Sequence, residues 1–179
     1  MILGLSAAYL IRLGFYPIAV VDGQMISARI FEEAAGSARH YFNQVANTYL
    51  KSEDRDRIPE IGEEIRRATL DKLIENILVY KALADASDID VNTVVEDRLN
   101  SLKTQTPDFE KAVSALYGLT ALRFQDLFLV PQARQEILEE RVKNEAADWS
   151  DWIKAVRKKS KVYVLARGLY WNGAEVLIK

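Results

Sequence analysis

The sequence predicts a mainly α-helical fold: a bundle of about six helices closed by a small antiparallel β-sheet drawn from the N- and C-terminal segments. Three observations lead there. Between residues 27 and 160 apolar side chains recur at three- and four-residue spacing, the period of a helix face. Strand-prone runs lie only outside that span, at 17–26 (PIAVVDGQMI) and from Val162 onward. A lone short strand is unstable in water, so the terminal runs are expected to pair, 18–21 with 162–165.

Taken in order, residues 1–16 form an apolar segment broken by Arg12 and shorter than the ~20 residues of a spanning helix. With no basic leader region and no small-residue cleavage site, it is a poor signal peptide. Three readings stay open: the exit end of a membrane anchor, an interfacial segment, or a helix packed on the core. Residues 18–21 read as a strand and 24–26 as its return, joined through Asp22-Gly23, a dipeptide that favours a tight hairpin turn. Ser27 caps a first helix reaching about Tyr49 to Lys51, and Phe31, Ala35, Ala38, Phe42, Val45 and Tyr49 share one face of it, the stripe of a buried helix.

Residues 51–59 (KSEDRDRIP) make a charged linker closed by proline. A second helix follows from about Ile61 to Ala86. Its Leu70, Leu73, Ile74, Ile77, Leu78, Tyr80 and Leu83 cover more than one stripe, which marks it as central. After a turn at 88–91, Asn92 caps a third helix to about Leu102. Thr106-Pro107 supplies an N-cap and a first-turn proline for a short fourth, ended by Gly118. Thr120 starts a fifth, which Pro131 should kink or divide. A last helix covers 146–160, with Trp149, Trp152, Ile153 and Val156 on one face. Beyond it, 169–171 and 175–178 flank Asn172-Gly173, the strongest hairpin signal in the chain.

The composition narrows function mainly by exclusion. In 179 residues, 24 basic against 26 acidic side chains leave no field to collect nucleic acid, and the absence of cysteine excludes disulfides, thiol catalysis and cysteine-bound metals. Phosphate loops, serine-nucleophile motifs and paired-histidine zinc motifs are missing. His40 is the only histidine and has no motif partner, so it reads as a helix-face residue. The acidic pairs Glu32-Glu33, Glu63-Glu64 and Glu139-Glu140 diverge by about 100° on a helix and read as surface charges rather than shared proton or metal sites. No catalytic residue, cofactor or metal is implied. The basic run Lys154, Arg157, Lys158, Lys159 and Lys161 suits a helix C-terminus, whose dipole favours cations, or contact with anionic headgroups or acidic partners.

Several motifs together carry a family resemblance. VVDGQMIS (20–27) resembles the opening V-N/D-G-x-x-I-S/T segment of the SurA-type N-terminal chaperone domain, which precedes parvulin-type peptidyl-prolyl isomerase domains. LDKLIENILVYKALADASDIDV (70–91) is similar to that domain's helix and I-x-V turn, YGLTALRFQDLFLVPQARQEILEERV (117–142) to its G-L/M-T/S helix start and long helix, and KVYVL (161–165) to its returning strand. One departure is Asn92-Thr93-Val94-Val95, which lacks the acidic partner of a capping box. A second is that these residues leave no room for an inserted parvulin domain, so isomerase activity is not expected.

The resemblance implies a chaperone domain at 17–167, preceded by the segment 1–16 and followed by a hairpin extension at 168–179. It implies a non-enzymatic holdase that binds unfolded or extended polypeptides, extracytoplasmic and associated with a membrane through residues 1–16. A structural protein that dimerises or scaffolds a membrane partner is the alternative. A holdase needs broad apolar contact, which makes Phe42, Tyr49, Phe124, Phe128, Trp149 and Trp152 the expected client-binding residues. They lie on the long first helix, the helix before Pro131 and the last helix, and Pro131 is expected to open a groove among them.

Overall fold

A computed structural model describes residues 14–49, 58–84 and 91–179. The expected charged linker up to residue 57, the turn at 88–90 and most of the apolar N-terminal segment (1–13) lie outside the described residues.

Strands β1 (Pro17–Val21) and β2 (Gln24–Ser27) form an antiparallel hairpin. Its connection is Asp22-Gly23, both with positive φ (47° and 86°), the mirror-image turn that matches strand twist and that aspartate and glycine tolerate. Strand β3 (Val162–Val164) pairs with the other side of β1, in the register Ala19↔Val164, Val20↔Tyr163 and Val21↔Val162. The sheet order is β2-β1-β3, so the chain ends meet as the strand patterns predict. Strands β4 (Leu169–Trp171) and β5 (Val176–Ile178) form a separate hairpin. Strand β5 starts one residue later than expected, because the Asn172 carboxamide accepts the N–H groups of Ala174 and Glu175 (both 2.8 Å) and holds residues 172–175 as a loop.

Helix α1 (Ala28–Tyr49) opens at Ser27, whose Oγ accepts the Ile30 N–H at 3.3 Å. Helix α2 (Ile58–Ala84) begins before Pro59, earlier than the sequence suggests, since a first-turn proline gives up an N–H that has no helical partner anyway. Helix α3 (Val91–Gln105) likewise starts before Asn92, which is therefore not its cap. Its last turn extends to the Thr106 N–H, bonded to the Leu102 carbonyl, so Thr106 is not available to cap the next helix. Asp108 occupies that position instead, ahead of α4 (Phe109–Tyr117). Gly118 ends α4 as expected, with φ 66° and its N–H on the Ser114 carbonyl.

Thr120 caps α5 (Ala121–Asn144), its side chain accepting the Arg123 N–H. Pro131 does not divide this helix. Instead a π-helical turn occupies Gln125–Leu129, closed by Val130 N–H on the Gln125 carbonyl. A proline ring clashes with the carbonyl four residues back, here that of Leu127, and the wider turn makes room for it. The final helix, α6 (Trp149–Lys159), starts later than expected: Ala146 has φ 57°, and Asp148 is the cap, accepting the Asp151 N–H.

Two apolar clusters organise the described residues. The first joins Ala19, Val21, Phe31, Leu70 and Ile74 to Leu169 and Val176, so the terminal hairpin shares the core of the bundle. The second joins Val79 and Leu83 of α2 to Val95, Leu99, Ile137 and Val142. Helix α2 serves both, the central role its pattern predicts, although Tyr80 on the same helix is exposed. Among the described residues no single helix is long and apolar enough to cross a membrane; α4 and α5 together pass that test but are bent by 73°.

Candidate functional site: a groove along the π-turn

The widened turn of α5 lies against α1 and α2 without closing on them. Two adjoining recesses result, of about 500 Å³ and 350 Å³, and both are lined by Leu73 and Asn76 of α2 and by Leu127 and Pro131 of α5. The larger continues over Ala34 and Ala38 to Phe128 and is rimmed by Lys72, Gln132 and Gln135. The smaller reaches Ile30, Ile77 and Tyr80 and ends against β2 at Gln24, Met25 and Ile26. Small side chains on α1 and the proline on α5 keep the helices from interdigitating, which leaves an apolar floor between polar margins.

The six aromatic residues expected to line a common groove do not assemble. Phe124 and Phe128 pack together (centroids 5.3 Å apart) and against Tyr117 at 4.5 and 6.0 Å, with Phe109 beside Phe124 and Tyr41 stacked on Tyr117 at 5.0 Å. This stack clamps α4 and α5 onto α1. Burial and the neighbouring Tyr41 hold the Tyr117 phenol above its ordinary range. Trp149 and Trp152 stack on each other (5.2 Å) and pack against the second cluster. Phe42 is half-buried on α1. Tyr49 ends α1, and its side chain lies outside the described residues. Of the five described side chains, Phe128 is the one that lines the groove. Helical spacing identifies which residues turn inward, but not which neighbouring helix takes them up. The signal that could have found the groove was Pro131, together with the alanines of α1.

Ion pairs brace its surroundings. Arg123 makes a two-pronged contact with Glu33 (2.7 and 2.6 Å) and touches Asp126 at 3.3 Å, tying α5 to α1. The Arg123 hydrogen bond holds the Glu33 carboxyl below its usual range despite partial burial. Glu32 is paired with Arg66 and Glu64 with Arg67, so these acidic residues are brace points between and along helices. Behind the groove wall, Arg157 is buried. It bonds Asp71 through both terminal nitrogens (3.0–3.1 Å), Glu75 at 2.6 Å and the Ala174 carbonyl at 3.1 Å. Burial alone would raise the Glu75 pKa, but Lys72 and Arg157 outweigh it and hold the carboxyl low.

This corrects the reading of the basic run: Arg157 is an internal brace and cannot reach a headgroup, whereas Lys154, Lys158, Lys159 and Lys161 are exposed. His40 bonds the Ala115 carbonyl at the end of α4, as befits a helix-face residue. Among the described residues no cluster of three or more acidic or histidine side chains could hold a metal ion. Comparison with family models, curated proteins and solved structures returns no match.

Proposed function

We propose that this chain is a holdase-like chaperone module of SurA type, binding extended apolar polypeptide segments without turnover. One observation carries the reading: the groove along the π-turn is open, apolar on its floor and edged by long, adaptable polar side chains. Such a site takes many sequences weakly, because the affinity comes from apolar area and no fixed array of polar partners selects a single ligand. The order and spacing of the four SurA-like motifs support the same reading. An extracytoplasmic position beside a membrane belongs to this proposal and rests on the apolar pattern of 1–16, with the exposed lysines of 154–161 offering contact to anionic headgroups.

The test is suppression of aggregation. A chemically unfolded reporter protein diluted into buffer should scatter less light in the presence of stoichiometric wild-type chain. Leu127→Ser, on the groove floor, should weaken that protection several-fold while leaving the helical circular-dichroism signal intact. No protection by the wild type, or full protection by the variant, would overturn the assignment.

One feature favours the alternative, an assembly protein with a single partner. On the sheet's outer face Met25, Val20 and Tyr163 form a cross-strand row, with Met25 and Tyr163 exposed by 50% and 63% and Leu165 beside them by 60%. A fixed apolar row suits one stoichiometric partner better than many clients. Protection lost in Tyr163→Ser and kept in Leu127→Ser would move the assignment to that face.

A further inference from the structure

We infer that the smaller recess takes its ligand as an added β-strand, paired to the open edge of β2 and carrying a carboxylate to Arg134. The inference rests on the groove being a peptide site and specifies how the peptide is held there.

Strand β2 is an edge strand of the order β2-β1-β3. In the two-residue hairpin, Val21 and Gln24 face each other across the turn, as do Ala19 and Ile26 farther along. Backbone groups of an antiparallel strand point alternately to its two sides. The Ile18 carbonyl and the Asp22 N–H both bond β3 or the residue before it, accepting from Leu165 and donating to Lys161 respectively. Residues 18, 20 and 22 of the hairpin therefore turn to β3, while 19 and 21 turn to β2. It follows that Gln24 and Ile26 are bonded inward to β1, and that the N–H and C=O of Met25, opposite Val20, point to the open side. Among the described residues neither group has a backbone partner.

The recess lies on that same side. Its lining includes Gln24, Met25 and Ile26, three consecutive residues of one strand. Successive side chains of a strand leave opposite faces, so a cavity bordered by three in a row lies along the strand's edge and not over a face. Opposite this edge stand Ile77, Tyr80 and Pro131, suited to the alternate side chains of an extended segment.

Charge completes the description of the ligand. Of the two arginines in the recess, Arg123 is neutralised by Glu33 and Asp126. Arg134 lies over the Tyr80 ring at 5.0 Å, and no described carboxylate forms an ion pair with it. The recess thus presents one uncompensated cation beside an unsatisfied backbone donor and acceptor. The complementary ligand is an extended apolar segment bearing one carboxylate, supplied either by an acidic side chain or by a chain terminus.

The probe is a fluorescein-labelled nonapeptide of alternating leucine and serine with a central glutamate and both ends blocked, titrated by anisotropy against the full chain. Binding should weaken about tenfold on N-methylation of one alternate set of peptide amides and little on methylation of the other, since an added strand bonds through alternate residues only. Met25→Pro should have an effect of similar size, whereas Met25→Ala should not. Proline there removes only an N–H outside the β1 ladder, so the hairpin persists.

Glu→Gln in the probe should lower affinity in the wild type but not in Arg134→Gln. A Gln probe with a free C-terminus that recovers the loss would assign the carboxylate to a chain terminus; no recovery would assign it to a side chain. Equal binding by both methylated sets and by Met25→Pro, with the wild type still bound and Leu127→Ser impaired, would overturn strand addition and leave the groove reading standing. No binding of any probe would overturn both. A self-dimer that dissociates in Met25→Pro and competes with the probe would give the edge to a second copy of the chain and overturn the proposal.

Discussion

Replacing Arg157 by methionine keeps much of the side-chain volume and removes the charge that Asp71 and Glu75 face. The guanidinium makes five hydrogen bonds, four of them to those two carboxylates, with 9%, 20% and 15% of the Arg157, Asp71 and Glu75 side chains exposed. Removing one member of a buried ion cluster costs about 3–5 kcal/mol, because the remaining charges are left desolvated. Here each carboxylate keeps one partner, Asp71 the Val176 N–H at 2.9 Å and Glu75 the Lys72 ammonium at 2.7 Å. The lower end, about 3 kcal/mol, is therefore expected, a drop in Tm of roughly 10 °C for a chain of this size.

Urea unfolding followed by circular dichroism measures this loss, and adding Asp71→Asn should recover part of it, since a stranded charge goes while an acceptor for Val176 stays. The deficit also depends on pH. Glu75 has a depressed folded pKa, so its contribution is present in full above the ordinary carboxylate range and is lost as pH falls through the folded value. The gap between wild type and variant should accordingly narrow in acid. A loss below about 1 kcal/mol at neutral pH, the scale of an exposed pair, or a gap independent of pH would refute the argument.

Two further substitutions test the fold around the groove. Phe31→Ala empties a site with no solvent exposure, where the ring packs among β1, α2 and the terminal hairpin, and should cost about 3–5 kcal/mol in the same urea titration. Gly118→Ala forces a side chain into a left-handed cap, with the new Cβ 3.4 Å from the His40 ring; a loss of about 1–2 kcal/mol is expected, and an unchanged midpoint would show that the α4–α5 corner tolerates rearrangement.

Local chemistry made much of the fold legible before any coordinates were considered. Ser27, Thr120 and Gly118 act at the helix ends where their side chains or backbone freedom place them, and Asp22-Gly23 turns the first hairpin, because each effect is settled within a few residues. The pairing of β1 with β3 followed from economy, since two short strands separated by a helical span had few other partners. Helix starts were read less well. Pro59, Asn92 and Thr106 carry start signals that helix α2, α3 or the last turn of α3 overrides, because continuing a helix by a residue adds a backbone bond that a side-chain cap only replaces.

What the sequence by itself determined is therefore the helical class, the closure of the chain ends and the apolar faces that must turn inward. Only the tertiary structure decided what those faces meet: Phe124 and Phe128 join Tyr41 and Tyr117, the two tryptophans find each other, and Arg157 leaves a basic run to neutralise carboxylates on α2. The groove belongs to this second kind of information. It depends on how Pro131 widens one turn of α5 and on which residues of α2 stand opposite, and no periodicity within a single helix encodes the distance to its neighbour.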